Sequence, residues 1–92
     1  MVEIEMEKQW ILYILSCKDG TFYTGITDNL ERRLMQHNSG KGAKYTRGRS
    51  PVLLVYTEKC QNHSQALKRE FAVKKLSKSE KQKLCDNYKK TL

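Results

Sequence analysis

Residues 11–37, ILYILSCKDGTFYTGITDNLERRLMQH, read as strand, tight turn, strand and helix. The run QWILYILS at residues 9–16 is almost continuously apolar, the pattern of a strand buried on both faces. Lys18-Asp19-Gly20 is a turn signal. TFYTGI at residues 21–26 then returns as the second strand of an antiparallel hairpin. Gly25 interrupts that strand, and a strand glycine marks a bulge or a close backbone approach; an edge glycine with neither role is the alternative. The helix spans residues 28–39, with Asp28 and Glu31 in capping-box spacing and Gly40 as its stop. Leu30 and Leu34 anchor it. Arg33 and His37, four apart, border the same stripe and face whatever lies beside the hairpin.

Residues 40–51, GKGAKYTRGRSP, form a basic, glycine-rich loop. Backbone amides near such glycines cradle phosphate, although no Walker spacing occurs. VLLVYT at residues 52–57 is a third strand, apolar enough to be central. A second helix covers residues 64–75, capped by Ser64 or Asn62, with a stripe of Ala66, Leu67, Phe71 and Val73. Glu70 falls within that stripe, where a carboxylate is costly unless a cation or hydrogen bonds meet it. An ion pair with an arginine and a metal-ligand role both satisfy that demand, and spacing does not choose between them. A third helix opens at Ser77 with Glu80 in capping-box spacing, and Leu84, Cys85 and Tyr88 give it a thin apolar face. The fold class expected is α+β, a three-stranded antiparallel sheet flanked by helices in the order β-β-α-β-α-α. One domain is expected over residues 1–92, with its core at 10–84 and residues 1–8 as a flexible leader.

Of the 92 residues, 38% are hydrophobic, enough for one modest core. No run approaches the roughly 18 apolar residues of a membrane span, and the acidic start MVEIEMEK is not a secretory signal. Cys17, Cys60 and Cys85 are widely spaced without a CxxC pair, and read as free thiols of a reducing compartment. A cytoplasmic location follows. Cys60 and His63 form a lone C-x-x-H that lacks the further ligands of a zinc site.

The chain carries 18 Lys and Arg against 10 Asp and Glu, a net charge of +8. Residues 32–57 hold six bases and no acid. A basic stripe with interleaved glycine and tyrosine points to nucleic acid, which makes Arg32, Lys41, Lys44, Arg47 and Arg49 candidates for backbone phosphates. Residues 68–92 hold nine bases against three acids and read as a solvated lysine face.

No Ser-His-Asp set, paired-carboxylate site or cysteine nucleophile is suggested. Tyrosines, arginines, a histidine and one misplaced glutamate beside a polyanion surface suit phosphodiester cleavage. A divalent ion on Glu70 would hold nonbridging and leaving oxygens, and an arginine would neutralise charge building on the phosphate. A tyrosine would orient or deprotonate water, the latter only if its pKa of about 10 is lowered.

These residues resemble the GIY-YIG nuclease family, over about residues 10–84. The first signature triplet corresponds to Ile11-Leu12-Tyr13 and the second to Tyr23-Thr24-Gly25. Two positions depart from the pattern: Ile11 stands for glycine, and Thr24 for isoleucine or valine. The HNSGKGAKYT run at residues 37–46 and the ALKRE segment at 66–70 also match small stand-alone bacterial members. The resemblance implies Tyr13, Tyr23, Arg33, His37 and Glu70 as catalytic residues, with Arg33 on the scissile phosphate and Glu70 on Mg²⁺ or Mn²⁺. It implies an endonuclease that hydrolyses DNA, and the small size suggests damaged or branched substrates. RNA is a second candidate partner. A monomer or weak dimer without a small-molecule cofactor or membrane partner is expected. The alternative function is a nucleic-acid-binding module that keeps the fold with little or no turnover.

Overall fold

The computed structural model describes residues 9–91, so the expected leader at residues 1–8 lies outside the described residues. The elements are β1 (Trp10–Ser16), β2 (Phe22–Thr27), α1 (Leu30–Asn38), β3 (Leu53–Cys60), α2 (His63–Lys74) and α3 (Lys78–Thr91), with a 3₁₀ turn at Lys44–Thr46. The chain folds as an α+β domain around an antiparallel sheet of order β2-β1-β3.

β1 is the central strand. Leu12, Tyr13, Ile14 and Leu15 are each at most 1% exposed, because helices or loop cover both faces of the sheet and a continuous apolar run satisfies both. Leu12 and Ile14 point into a core with Ala66, Val73 and Cys85, from α2 and α3. Tyr13 and Leu15 point into a second core with Cys17 and Val52, closed by Leu30 and Leu34 of α1. The hairpin register runs unbroken from Ile11 opposite Thr27 to Ser16 opposite Phe22, which places Tyr13 opposite Gly25. Gly25 therefore marks no bulge. The one register shift falls on the other side of β1, between Ile14 and Leu15, where Val55 of β3 is the extra residue.

Three expectations are corrected. β3 is an edge strand, not a central one. Its Leu53 is 66% exposed, and the strand continues through Glu58 and Lys59 to Cys60, charges that suit a solvated edge. The first helix is capped by Asn29, not Asp28: Asn29 Oδ1 accepts the Arg32 N–H at 3.1 Å. The Thr27 hydroxyl accepts the Asn29 N–H at 3.1 Å and so presets the cap. The stripe of α2 is Ala66 and Val73, both fully buried, while Leu67 and Phe71 are 46% and 65% exposed. Two small side chains let the helix axis sit close to the sheet, and the larger pair is turned outwards. There Phe71 is covered by the Lys75 ammonium at 4.1 Å from its ring centre.

Asn62 is the cap of α2, accepting the Gln65 N–H at 2.9 Å. The capping box of α3 is present in both directions, with Ser77 N–H on Glu80 Oε1 at 3.1 Å and Glu80 N–H on Ser77 Oγ at 3.2 Å. Cys17, Cys60 and Cys85 are buried free thiols. No described helix is long and apolar enough to cross a membrane.

Because one side chain holds the free Arg32 amide in the first turn of α1, Asn29→Ala will lower stability by about 1 kcal/mol. Urea unfolding followed by far-UV circular dichroism measures it.

Candidate active site

The register that sets Tyr13 opposite Gly25 also lets the tyrosine ring lie across the glycine backbone. A Cβ built on Gly25 would stand 2.6 Å from Tyr13 Oη and 2.8 Å from its Cζ, inside any allowed contact. The glycine is thus a close approach, and it aims the Tyr13 hydroxyl at α1. There it meets His37, which is fully buried. Tyr13 Oη and His37 Nε2 are 2.9 Å apart. His37 Nδ1 is 2.8 Å from Thr46 Oγ1, and the Thr46 hydroxyl donates to the Ala43 carbonyl at 2.9 Å. Since Thr46 spends its only proton on Ala43, it accepts from His37 Nδ1–H. His37 Nε2 is then the acceptor for the Tyr13 hydroxyl.

The charges agree with this chain. Burial, with the Arg33 guanidinium nearby, lowers the His37 pKa to about 4, so the imidazole is neutral at pH 7. Burial raises the Tyr13 pKa to about 12; Tyr23 and Glu70 push the same way, and Arg33, a hydrogen-bonding neighbour of the hydroxyl, pulls against them. Tyr13 is thus a protonated donor, and Arg33 and Glu70 both act on one hydroxyl. Arg33 also donates to Gln36 Oε1 at 3.0 Å. Tyr23 completes the cluster, with its ring 6.3 Å from Tyr13 and 5.2 Å from His37.

Glu70 approaches from α2, its side chain 20% exposed and 3.5 Å from Lys74 Nζ one turn on. Of the two alternatives open for Glu70, an ion pair is present, with a lysine rather than an arginine, and neighbouring Arg69 is engaged by Glu58 at 2.7 Å. No group of three or more His, Cys, Asp and Glu occurs among the described residues. One carboxylate is still a fitting donor for Mg²⁺, which keeps several waters and takes its remaining oxygens from a phosphate.

The structure thus brings Tyr13, Tyr23, Gly25 and His37 into contact, with the Arg33 charge acting on Tyr13 and His37 and the more distant Glu70 charge acting on Tyr13. Arg32, Lys41, Lys44 and Arg47 are exposed. Arg49 is tied down: it bonds Asp19 Oδ2 at 2.9 Å and the Tyr45 carbonyl at 2.6 Å, and its guanidinium lies 4.3 Å from the Tyr45 ring centre. Thr46 and Gly42 are residues that the sequence did not reveal. Thr46 is 1% exposed, and a Cβ on Gly42 would stand 2.5 Å from His37 Nδ1. Both lie in the stretch read as a phosphate cradle. Their small size was the one local signal that something packs against them.

Residues 9–84 match the GIY-YIG catalytic domain. A UPF0213 protein of Desulfotalea psychrophila is 57% identical over 76 residues, covering 82% of this chain and 69% of that one. A UPF0213 protein of Oceanobacillus iheyensis is 49% identical over 81 residues, covering 88% and 94%. The solution NMR structure of a UPF0213 protein from Bacillus halodurans superposes with a TM-score of 0.55 at 47% identity, covering 85% of this chain and 83% of that one. That of a protein from E. faecalis gives 0.58 at 49% identity, covering 88% of each.

Two outcomes follow from the Tyr13–His37 geometry. Gly25→Ala will tilt the Tyr13 ring off its bond and cost about 1–3 kcal/mol in urea unfolding. His37 will stay neutral from pH 8 down to about 4, whereas an unfolded histidine takes up its proton near 6.5. In that window the unfolded chain binds the extra proton, so stability falls as pH drops from 6.5 towards 4. Nitrogen-15 shifts of the imidazole will report the Nδ1–H tautomer throughout.

Proposed function

Because the chain belongs to the GIY-YIG catalytic-domain family, we propose that it is a divalent-metal-dependent endonuclease that hydrolyses DNA phosphodiester bonds, on damaged or branched DNA, in the cytoplasm. The observation that carries this reading is the buried Tyr13–His37 hydrogen bond of 2.9 Å with the Tyr23 ring beside it. The Arg33 charge acts on both of its members, and the Glu70 charge acts on Tyr13. A cation and a carboxylate near tyrosines suit a phosphate between them.

Each side chain has a distinct task. Arg33 binds the scissile phosphate and stabilises the charge that grows on it. Tyr13, kept protonated by burial, holds Arg33 in place and is not the base. Neutral His37 accepts the hydrogen bond that the Tyr13 hydroxyl donates and fixes the hydroxyl's direction. Tyr23, partly exposed beside this group, orients the attacking water. Glu70 would hold Mg²⁺ or Mn²⁺, which when bound supplies Lewis-acid stabilisation of the nonbridging and leaving oxygens. Arg32, Lys41, Lys44 and Arg47 grip flanking phosphates. Arg49 keeps Tyr45 and the turn in register.

One observation favours a second reading, a nucleic-acid-binding module without turnover: the Lys74 ammonium already neutralises Glu70 at 3.5 Å. Nicking of plasmid and branched DNA, with and without Mg²⁺, separates the two. The nuclease requires Mg²⁺-dependent product and a loss of about 100-fold or more in Arg33→Ala and Glu70→Ala. Variants that cut as well as the wild type would sink the site assignment. Binding that survives EDTA, with no product in any metal, would establish the second reading.

A further inference from the structure

Tyr23 has a ring neighbour outside the Tyr13–His37 pair. Its ring stacks on that of Tyr45, with centres 5.9 Å apart and planes inclined by 27°. Its contacts with Tyr13 and His37 are tilted, at 44° and 58°. Those two rings are buried, whereas Tyr45 is 39% exposed. An exposed tyrosine in a glycine-rich loop keeps a fixed ring only if something holds it, and Arg49 does. Its guanidinium lies 4.3 Å from the Tyr45 ring centre, and its Nη1 donates to the Tyr45 carbonyl at 2.6 Å. Its Nε donates to Asp19 Oδ2 at 2.9 Å, and its carbonyl accepts the Lys18 N–H at 2.8 Å. Asp19 is set in turn by Thr21, whose N–H and hydroxyl donate to Oδ1 at 3.1 and 2.6 Å. Thr21 directly precedes β2, the strand that carries Tyr23. The contacts therefore form a closed ring, from the hairpin turn through Arg49 and Tyr45 back to Tyr23.

We propose that Tyr45 is a positioning residue: clamped by Arg49, its ring holds the Tyr23 side chain in the rotamer that presents the Tyr23 hydroxyl to the attacking water. The inference deepens the nuclease reading and rests on it for the task of Tyr23. Tyr13 and His37 are locked by close packing, but Tyr23 is only half-buried. It borders a groove of about 240 Å³ that Tyr45 also lines. Removing the Tyr45 ring would enlarge that groove and give Tyr23 room to leave its rotamer. A stacked neighbour fixes the plane of the ring, and with it the direction of the hydroxyl at its end. Orientation of this kind matters to rate, since a displacement of about 1 Å costs up to about 100-fold. The clamp also gives a reason for arginine at position 49. Only a planar guanidinium lies against a ring while its separate nitrogens reach a carbonyl and a carboxylate.

The first measurement needs neither metal nor DNA. Three-bond NMR couplings across χ1 of Tyr23 will report a single rotamer in the wild type and in Tyr45→Phe, which keeps the ring. Tyr45→Leu keeps apolar bulk without the ring, and there the couplings will move to a rotamer average. Asp19→Asn, which discharges the partner of Arg49, will move them part of the way. In all three variants the imidazole nitrogen shifts of His37 will keep the Nδ1–H pattern, the sign of an intact core. If Tyr45→Leu loses that pattern, Asp19→Asn decides, and unchanged couplings there overturn the proposal. The second measurement is plasmid nicking with Mg²⁺. Tyr45→Leu will lower kcat about tenfold with KM unchanged, and Tyr45→Phe will cut like the wild type. The proposal is overturned if Tyr23 keeps one rotamer in Tyr45→Leu, or if that variant cuts as fast as the wild type. It is also overturned if Tyr45→Phe loses as much as Tyr45→Leu, or if KM rises with kcat unchanged, which would make Tyr45 a contact for DNA. If the couplings change as stated while the wild type cuts no DNA with Mg²⁺, the clamp on Tyr23 stands and the nuclease reading fails. If the wild type cuts and the couplings do not change, the reverse holds.

Discussion

A neutral imidazole with no exposed surface, held between two hydroxyls, sets the conditions for everything around it. His37 has one donor and one acceptor at neutral pH, and burial makes each of them expensive to leave unpaired. The acceptor is used by Tyr13 and the donor by Thr46. Tyr13 reaches its place because the residue opposite it in the sheet is Gly25. Thr46 reaches its place because Gly42 lets the chain pass against the ring and the 3₁₀ turn at Lys44–Thr46 folds inwards. Arg49, bound to Asp19 in the hairpin turn, ties the far end of that loop to the sheet. A stretch rich in glycine and positive charge is thereby an ordered strap over the histidine, and its lysines are left on the outside.

The candidate site sits at the β2 side of the sheet for a geometric reason. β1 is buried on both faces and offers no access, while β3 faces the other way. Arg33 comes from one layer and Glu70 from the other, and their charges act in opposite directions on the Tyr13 pKa. Lys74 pairs with Glu70 one turn on.

Local patterns carried the fold far. The apolar run of β1, the Asp19-Gly20 turn and the Ser77/Glu80 capping box involve residues next to one another or one turn apart, and each is present. The misreadings have equally definite causes. Asp28 and Asn29 are both competent caps, and the Thr27 hydroxyl at the end of β2 made the choice. On α2, Ala66 with Val73 and Leu67 with Phe71 define adjacent stripes. The sheet selected the smaller pair, because close approach mattered more than side-chain area. β3 carries an apolar run much like that of β1, so hydrophobicity could not say which strand lies in the middle. Glu70 was conspicuous as a carboxylate on an apolar face. Its lysine partner was not, because an i,i+4 pair is made only if the rotamers turn that way.

By itself the sequence determined the element order, the hairpin and the set of chemical groups available: two tyrosines, an arginine, a histidine and a glutamate. These follow from short-range hydrogen bonding and hydrophobic period, which neighbouring residues decide among themselves. Only the tertiary structure decided how those groups are paired and what state they hold. That Tyr13 is a buried donor, that His37 is neutral, and that Thr46 spends its proton on Ala43 depend on contacts between residues up to 24 apart. The same holds for Thr24, whose hydroxyl is without a partner among the described residues because of what packs around it. Burial sets the cost of an unpaired polar group, and burial is a property of the assembled sheet and helices.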